Sequence, residues 1–383
     1  MKIQFGKFLI SGIWTICVFF SVAAASNELQ DEINRALKSG DNEIKLCRSE
    51  YRFDSPVVFR NLKNVVIDGN GARLILTRLR SAFLIFGSKR VTFRNFSIDY
   101  DPLPYTQGVI MKLDGKRIEF LIDDGYPAAD SGNWTWNCHA FTPDGKFWKK
   151  YQTDIYAKPT VVNSRTMRLD SRSTLNDLQI GDRIALLKKG ESCIDMRECA
   201  ELTFENITVY TAAGCVFRSY HGESGDRYCN VKIIRGPKPA GANAERLLSS
   251  GHDGVHYGYA RGGVEIRNCE FAFMGDDSFN HHGSTMVVAA AFAGKKSFHQ
   301  IIGGRIQDNN ALKRLRPGID KIRMLARDDF RILGEYTFRS YRRLNMTYPK
   351  NVRNAFFPTL SEKPEDFQTV FEISVDEPLN FSG

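Results

Sequence analysis

The chain has 383 residues, with 53 Lys plus Arg against 44 Asp plus Glu and a formal net charge of +9. At 42% apolar and 25% charged its balance is that of a globular protein, which excludes a mostly disordered chain. The length exceeds what one simple core usually holds, so several units or an elongated repeat are expected, and 31 Gly, 27 Phe and 14 Tyr favour β structure over a helical bundle.

Residues 1–25 read as a secretory signal peptide. Lys2 and Lys7 supply the positive start, residues 8–22 the apolar run, and Ala23, Ala24 and Ala25 the small cleavage-site residues. The run is too short and wrongly flanked for a lasting membrane span, and Cys17 lacks the small preceding residue of a lipoprotein signal. A secreted or periplasmic location is therefore expected, and no later stretch is long enough to cross a bilayer. Removing Lys2 and Lys7 takes the charge from +9 to +7. The densest basic stretch, Arg339 to Arg343 around Tyr341, reads as a solvated strand face, because an exported protein rarely meets nucleic acid. Seven cysteines remain: Cys47, Cys138, Cys193, Cys199, Cys215, Cys229 and Cys269. The odd count and the lack of a CxxC pair exclude zinc-knuckle and thioredoxin readings, and buried free thiols are as expected as bridges.

Residues 27–38 place Leu29, Ile33 and Leu37 four apart before Gly40, which predicts a short amphipathic helix with a glycine stop. Short β phrases then recur: NVVIDGNGARLIL from Asn64, RVTFRNFSIDY from Arg90, ELTFENITVY from Glu201, NVKIIRG from Asn230 and GVEIRNCEFAF from Gly263. Anchored on Val65, Val91, Leu202, Val231 and Val264, the steps are 26, 111, 29 and 33 residues. Short strands repeating at such a period, with no helices between them, predict a solenoid. The fold class read from this is all-β: a right-handed parallel β-helix with two inserted antiparallel β-barrel segments and an N-terminal capping helix. Asn95, Asn206 and Asn268 would stack as a ladder at a corner, where Asn tolerates left-handed backbone angles. The helix would cover the first rung's open edge.

The 111-residue step leaves an insert over residues 101–189, with strands VIMKLD, RIEFLID, TVVNSRTMRLD and RIALLKK. LQIGDRIALLKK from Leu178 is loosely echoed by LRPGIDKIRMLAR from Leu315, which predicts a second barrel from about Thr285 to Gly383. The expected division is thus 26–100 for the helix and first rungs, 101–189 for the first barrel, 190–284 for further rungs and 285–383 for the second barrel.

The densest polar cluster is GHDGVHYGYARGGVEIRNCEFAFMGDDSFNHHG, residues 251–283. It holds Asp253, Asp276 and Asp277 with four of the seven histidines, His252, His256, His281 and His282. Asp253 and Asp277 are 24 residues apart, one rung, so a β-helix sets them side by side with Asp276 adjacent. Strict alternation would turn Asp253 and Asp277 inward with Val255 and Phe279, so Gly254 and Gly275 are expected to mark a bend that releases the carboxylates. Carboxylates this close repel, which leaves one as a proton donor beside ionised partners, the arrangement that glycosidic cleavage needs. The competing reading is a calcium site or turn-forming aspartates. His252, His256, Asn280 and His282 are the candidate sugar contacts. No HExxH or regular His spacing supports zinc. Trp134, Trp136 and Trp148 are expected to pack the first barrel rather than stack on sugar.

The phrases IDGNGA, SIDYDPLPYTQG, IDDGYP, HDGVH and GDDSFNHHG, in this order along most of the mature chain, resemble the alpha-1,3-galactosidases of glycoside hydrolase family 110. The last two are the specific ones. The resemblance implies an inverting exo-hydrolase of terminal alpha-1,3-linked galactose without a metal cofactor. Carried over by motif, it makes Asp276 the general acid and Asp253 with Asp277 the base pair. Two departures stand out: His281 replaces a residue that is often apolar, and the family continues after its second barrel with further rungs. Competing readings are a polygalacturonase-like hydrolase, a pectate-lyase-like enzyme, and an inactive or carbohydrate-binding paralogue. An acidic polymer would want a basic subsite, for which Arg218, Arg261 and Arg267 are the candidates.

Overall fold

The computed structural model describes residues 27–149, 155–173, 175, 177–283, 287–302, 312, 314–348 and 369–382. The expected signal peptide and the expected start of the second insert at Thr285 lie outside them. The chain divides into two units. One joins Met1–Phe217 with Gly225–Val255 and Val264–Ser278, the other Arg218–Ser224 with His256–Gly263 and Phe279–Gly383.

The first unit opens with a helix, Glu28–Ser39. The Asn27 side chain accepts from the Gln30 amide at 3.2 Å, and Gly40 ends the helix at φ 87°. Leu29 and Ile33 are buried, and the helix packs on the first strands, Glu43–Lys45, Glu50–Phe53 and Val57–Arg60. These strands begin a parallel coil. One of its sheets orders Glu43–Lys45, Lys63–Leu76, Lys89–Tyr100, Thr203–Val209, Asp226–Cys229 and Val264–Arg267, each parallel to the next. A second sheet runs Val57–Arg60, Phe83–Phe86 and Ile194–Arg197.

Register along the coil stacks like on like. Phe93, Phe204 and Tyr228 are aligned on successive strands, with ring centroids 5.4 and 5.3 Å apart and planes within 12 and 18°. All three are fully buried, and Phe59, Phe83 and Phe217 meet them edge-on or tilted. The corner ladder is present at Asn95 and Asn206, and its bonds also run through Asn230, which the sequence reading does not place in it. The Asn95 side-chain amide donates to Asp68, that of Asn206 to Asn95 and that of Asn230 to Asn206, at 3.0, 3.1 and 2.7 Å. Asn95, Asn206, Asn230 and Asn268 all sit at φ between 52 and 59°.

One rung anchor differs from the sequence reading. Asp226, not Val231, lies level with Leu202 and Val264, and NVKIIRG is the second strand of its rung. The position carries no apolar residue to betray it. Asp226 is buried because its carboxylate accepts from the Leu202 amide at 2.8 Å.

The first insert is a closed antiparallel barrel. Its strands are Tyr105–Asp114, Arg117–Ile122, Trp134–Phe141, Ile155–Asn163, Thr166–Ser171 and Arg183–Lys188. TVVNSRTMRLD is split by a turn into parts of two strands, and Trp134–Phe141 is a strand that the sequence reading lacked. Its core includes Ile110, Phe120, Phe141, Met167, Leu169 and Leu186, with Trp134 and Trp148 packed against it. Trp136 is 45% exposed, with the Arg172 guanidinium 4.6 Å from its ring centroid. The coil segment after residue 234 latches onto this barrel. The Tyr105 hydroxyl donates to Leu248 O (3.2 Å), the Tyr126 hydroxyl to Ala244 O (2.9 Å), and the Leu247 amide to the Gln107 side chain (2.8 Å). Buried Arg246 makes a two-bond pair with Asp99, at 2.8 and 2.9 Å.

In the second unit, the strands Val287–Ala291, Ser297–Ile302, Thr369–Val375, Ile332–Leu344 and Lys321–Leu325 form an antiparallel sheet in that order. Phe298, Met324, Phe338 and Ile373 lie in its own core. The echo between the inserts is a shared local design, since Gly181 (φ 95°) and Gly318 (φ 77°) each turn the chain just before a strand. Among the described residues the five strands pair in an open order, and no closure of the expected second barrel is among them. Among the described residues no disulfide forms, and no helix is long and apolar enough to cross a membrane.

Candidate active site

The acid-bearing segments belong to the first unit and stack as adjacent turns of the coil. The Val216 amide donates to Asp253 O at 2.9 Å, and the Gly254 amide donates to Asp277 O at 2.9 Å. This sets Asp253 against Asp277, as the 24-residue offset requires. One carboxylate oxygen from each of Asp253, Asp276 and Asp277 lies within 4.8 Å of the others. Asp253 is only 5% exposed, whereas Asp276 and Asp277 are exposed. The Asp276 carboxylate also accepts from the Asp277 amide at 3.0 Å.

Of the two acids expected to be released outward, Asp277 is, while Asp253 stays inside beside buried Val255; Asp276 is exposed as well. Phe279 is not buried with Val255 but 38% exposed. The glycines act differently from the expected bend. Neither Gly254 nor Gly275 has a positive φ. Both are needed for close approach: a Cβ on Gly254 would sit 2.7 Å from Ser278 O, and one on Gly275 would sit 2.3 Å from Gly251 O and 2.9 Å from His139 Nε2.

His139 is the residue that the sequence reading missed. It lies on the barrel strand Trp134–Phe141, is fully buried, and meets the Trp148 ring edge-on at 5.2 Å. Burial, and secondarily the charge of His252, pushes its imidazole down to about 3, so it is neutral at ordinary pH. No motif marks it; its sole signal is a lone His between the apolar residues Cys138 and Ala140. His252 is half-buried and lies between Gly251 and Asp253.

The other candidate sugar contacts lie in the second unit. His256 and His282 face one another with their Nε2 atoms 3.1 Å apart, and the Tyr220 hydroxyl is 3.5 Å from His256 Nε2. His282 Nδ1 is 3.4 Å from Gly283 O, a bond in which only the imidazole can donate. Asn280 is half-buried on the same strand, Phe279–His282. Two of the candidate basic residues are paired with carboxylates. Arg261 bonds Asp320 and lies 3.3 Å from Glu223, and Arg267 pairs with Glu265. Three carboxylate oxygens at this spacing can also serve as ligands of a hard divalent cation, so chelation is a control that any assay of the site requires.

The fold and site together define a parallel β-helix that carries a cluster of three carboxylates drawn from two adjacent turns. In sequence, the chain is similar to alpha-1,3-galactosidases. Alpha-1,3-galactosidase B of Bacteroides thetaiotaomicron is 22% identical over 256 residues, which cover 60% of this chain and 40% of that protein. Alpha-1,3-galactosidase A of Shewanella woodyi is 24% identical over 259 residues, 61% of this chain and 41% of the relative. Alpha-1,3-galactosidase B of Akkermansia muciniphila is 22% identical over 255 residues, 61% and 30%. The chain thus spans less than half the length of each of these relatives. No protein-family model matches it. Among solved structures, the tailspike protein gp49 from Pseudomonas phage LKA1 aligns with 66% of this chain and 51% of its own at 14% identity, with a TM-score of 0.16.

Proposed function

We propose that the chain is an exported, exo-acting glycoside hydrolase that releases terminal alpha-1,3-linked galactose with inversion and without a cofactor. The observation that carries the hydrolase reading is the approach of Asp253, Asp276 and Asp277 to within 4.8 Å of one another, in a chain whose relatives are named alpha-1,3-galactosidases; inversion is the part that the motif resemblance alone implies. Asp276, exposed, is the general acid and gives its proton to the glycosidic oxygen as the bond to galactose C1 breaks. Asp253 and Asp277, stacked one rung apart, hold the attacking water. Two oxygens at this spacing can both accept from one water at about 2.8 Å. The water's oxygen bonds to C1 from the opposite face, and its proton passes to the pair. His252, the residue before Asp253 in the same unit, supplies a donor or acceptor for a sugar hydroxyl.

The acidic-polymer alternative is disfavoured because Arg261 and Arg267 already pair with Asp320 and Glu265. The test is hydrolysis of an alpha-1,3-galactosyl disaccharide and a branched blood-group-B-type glycan, with polygalacturonate and a chelator as controls. Cleavage of the galactosides is expected, with β-galactose as the first anomer seen by NMR and at least about a hundredfold loss of kcat in Asp276→Asn. Carboxyls closer than the roughly 6.5–9.5 Å of a simple inverting pair make the anomer a sharp criterion, and α-galactose formed first rejects inversion. Parental activity in Asp276→Asn and Asp253→Asn rejects the site, and loss of activity on chelation favours the calcium reading.

A further inference from the structure

We propose that His139, a residue of the inserted barrel, is a positioning residue for the carboxylate cluster, so that the barrel forms one wall of the catalytic machinery. The inference rests on the hydrolase reading above. Gly251 and Gly275 occupy equivalent places on adjacent turns, as the Gly275 amide donates to Ser250 O at 2.9 Å and the Gly251 amide to Ala212 O at 3.0 Å. Each precedes an acid, Gly251 by two residues and Gly275 by one. The space where Gly275 would carry a Cβ is taken by Gly251 O and His139 Nε2, at 2.3 and 2.9 Å. The backbone that leads into Asp276 therefore rests directly on the imidazole, and a Cβ on Gly251 would meet Ala213 O of the coil at 2.6 Å and, at ordinary contact distance, Leu187 Cδ1 of the barrel strand Arg183–Lys188 at 3.5 Å.

The imidazole is placed by its strand and by one aromatic neighbour. Its strand pairs with Arg183–Lys188 at Ala185, its neighbours Cys138 and Ala140 are fully buried, and Trp148 meets the ring edge-on. The barrel is anchored to the coil by Tyr105, Gln107 and Tyr126, which bond the segment 244–248. A rigid, neutral ring on a rigid strand is a means of fixing two acid-bearing turns against each other, and displacements of about 1 Å in such a site cost on the order of a hundredfold in rate.

The experiment compares His139→Ala, His139→Gln and Gly275→Ala with the parent and with Asp276→Asn on the disaccharide, after thermal melts confirm that each variant is folded at the assay temperature. His139→Ala is expected to lower kcat about a hundredfold with KM changed less than about threefold. His139→Gln, whose amide reaches the Nε2 position, should recover part of the loss. Gly275→Ala, which pushes on the same ring from the coil side, should share the kcat signature. Combining His139→Ala with Asp276→Asn should cost no more than Asp276→Asn alone, because both act through one acid. Parental kcat in folded His139→Ala and Gly275→Ala, or full additivity in the double variant, overturns the inference while leaving the hydrolase reading intact. Parental activity in Asp276→Asn removes both.

Discussion

Asp68 begins the ladder that Asn95, Asn206 and Asn230 continue, and it shows how one buried carboxylate is kept ionised. Burial pushes its carboxyl up, but the Asn95 side chain, the Asn70 amide and Arg94 together outweigh this and hold it below the usual carboxylate range. The sign follows directly. The depressed group contributes stability above the ordinary value of about 3.9, and the contribution is lost as pH falls through its own lower value. Asp68→Asn should therefore cost about 1–3 kcal/mol in urea unfolding at pH 7, and the gap from the parent should close as pH falls below the ordinary carboxylate range. A gap that stays constant with pH assigns the loss to geometry rather than charge. The ladder was legible because Asn is a rare choice inside alternating strands and recurs at one place in the phrase. His139 was not, because a single buried imidazole looks the same in sequence whether it packs a barrel or supports an active site.

At the level of elements, the parts read best are those whose two faces differ. The strands Lys63–Leu76 and Lys89–Tyr100 alternate and were found. Trp134–Phe141 was not, because residues 138–141 are all buried and the period of two disappears. The rung anchor at Asp226 was misread for the reverse reason: a charged residue occupies an inward position and is satisfied there by a backbone amide. The contacts of segment 244–248 were invisible in sequence, since Tyr105 of the barrel and Leu248 are 143 residues apart and Asp99 and Arg246, both of the coil, are 147 apart. Arg246→Met would leave Asp99 buried without its guanidinium, and a loss of about 3–5 kcal/mol is expected in chemical denaturation. The double variant Asp99→Leu/Arg246→Met should regain much of it. Equal losses in single and double variants would show that the pair is not coupled.

For the whole molecule, charge separates the candidate substrates. A net +9 spread over 383 residues attracts an acidic polymer weakly and a neutral glycan not at all. Hydrolysis of a neutral galactoside should keep its kcat/KM within about twofold between 0.05 and 0.5 M salt, conditions that shorten the Debye length from roughly 14 to 4 Å. A steep fall would point to a charged substrate. The acidic cluster could be read from sequence because a coil turns a fixed residue offset into a spatial contact; the pairing of His256 with His282, 26 residues apart, obeys the same arithmetic.

The coil also resumes after the barrel as though nothing had intervened: Thr92 pairs with Thr203 and Phe83 with Ile194. Winding therefore places no demand on what is spliced between these strands. The inserted domain can lengthen or shrink elsewhere without disturbing that register, while its bonds to segment 244–248 through Tyr105, Gln107 and Tyr126 tie its remaining shape to the coil.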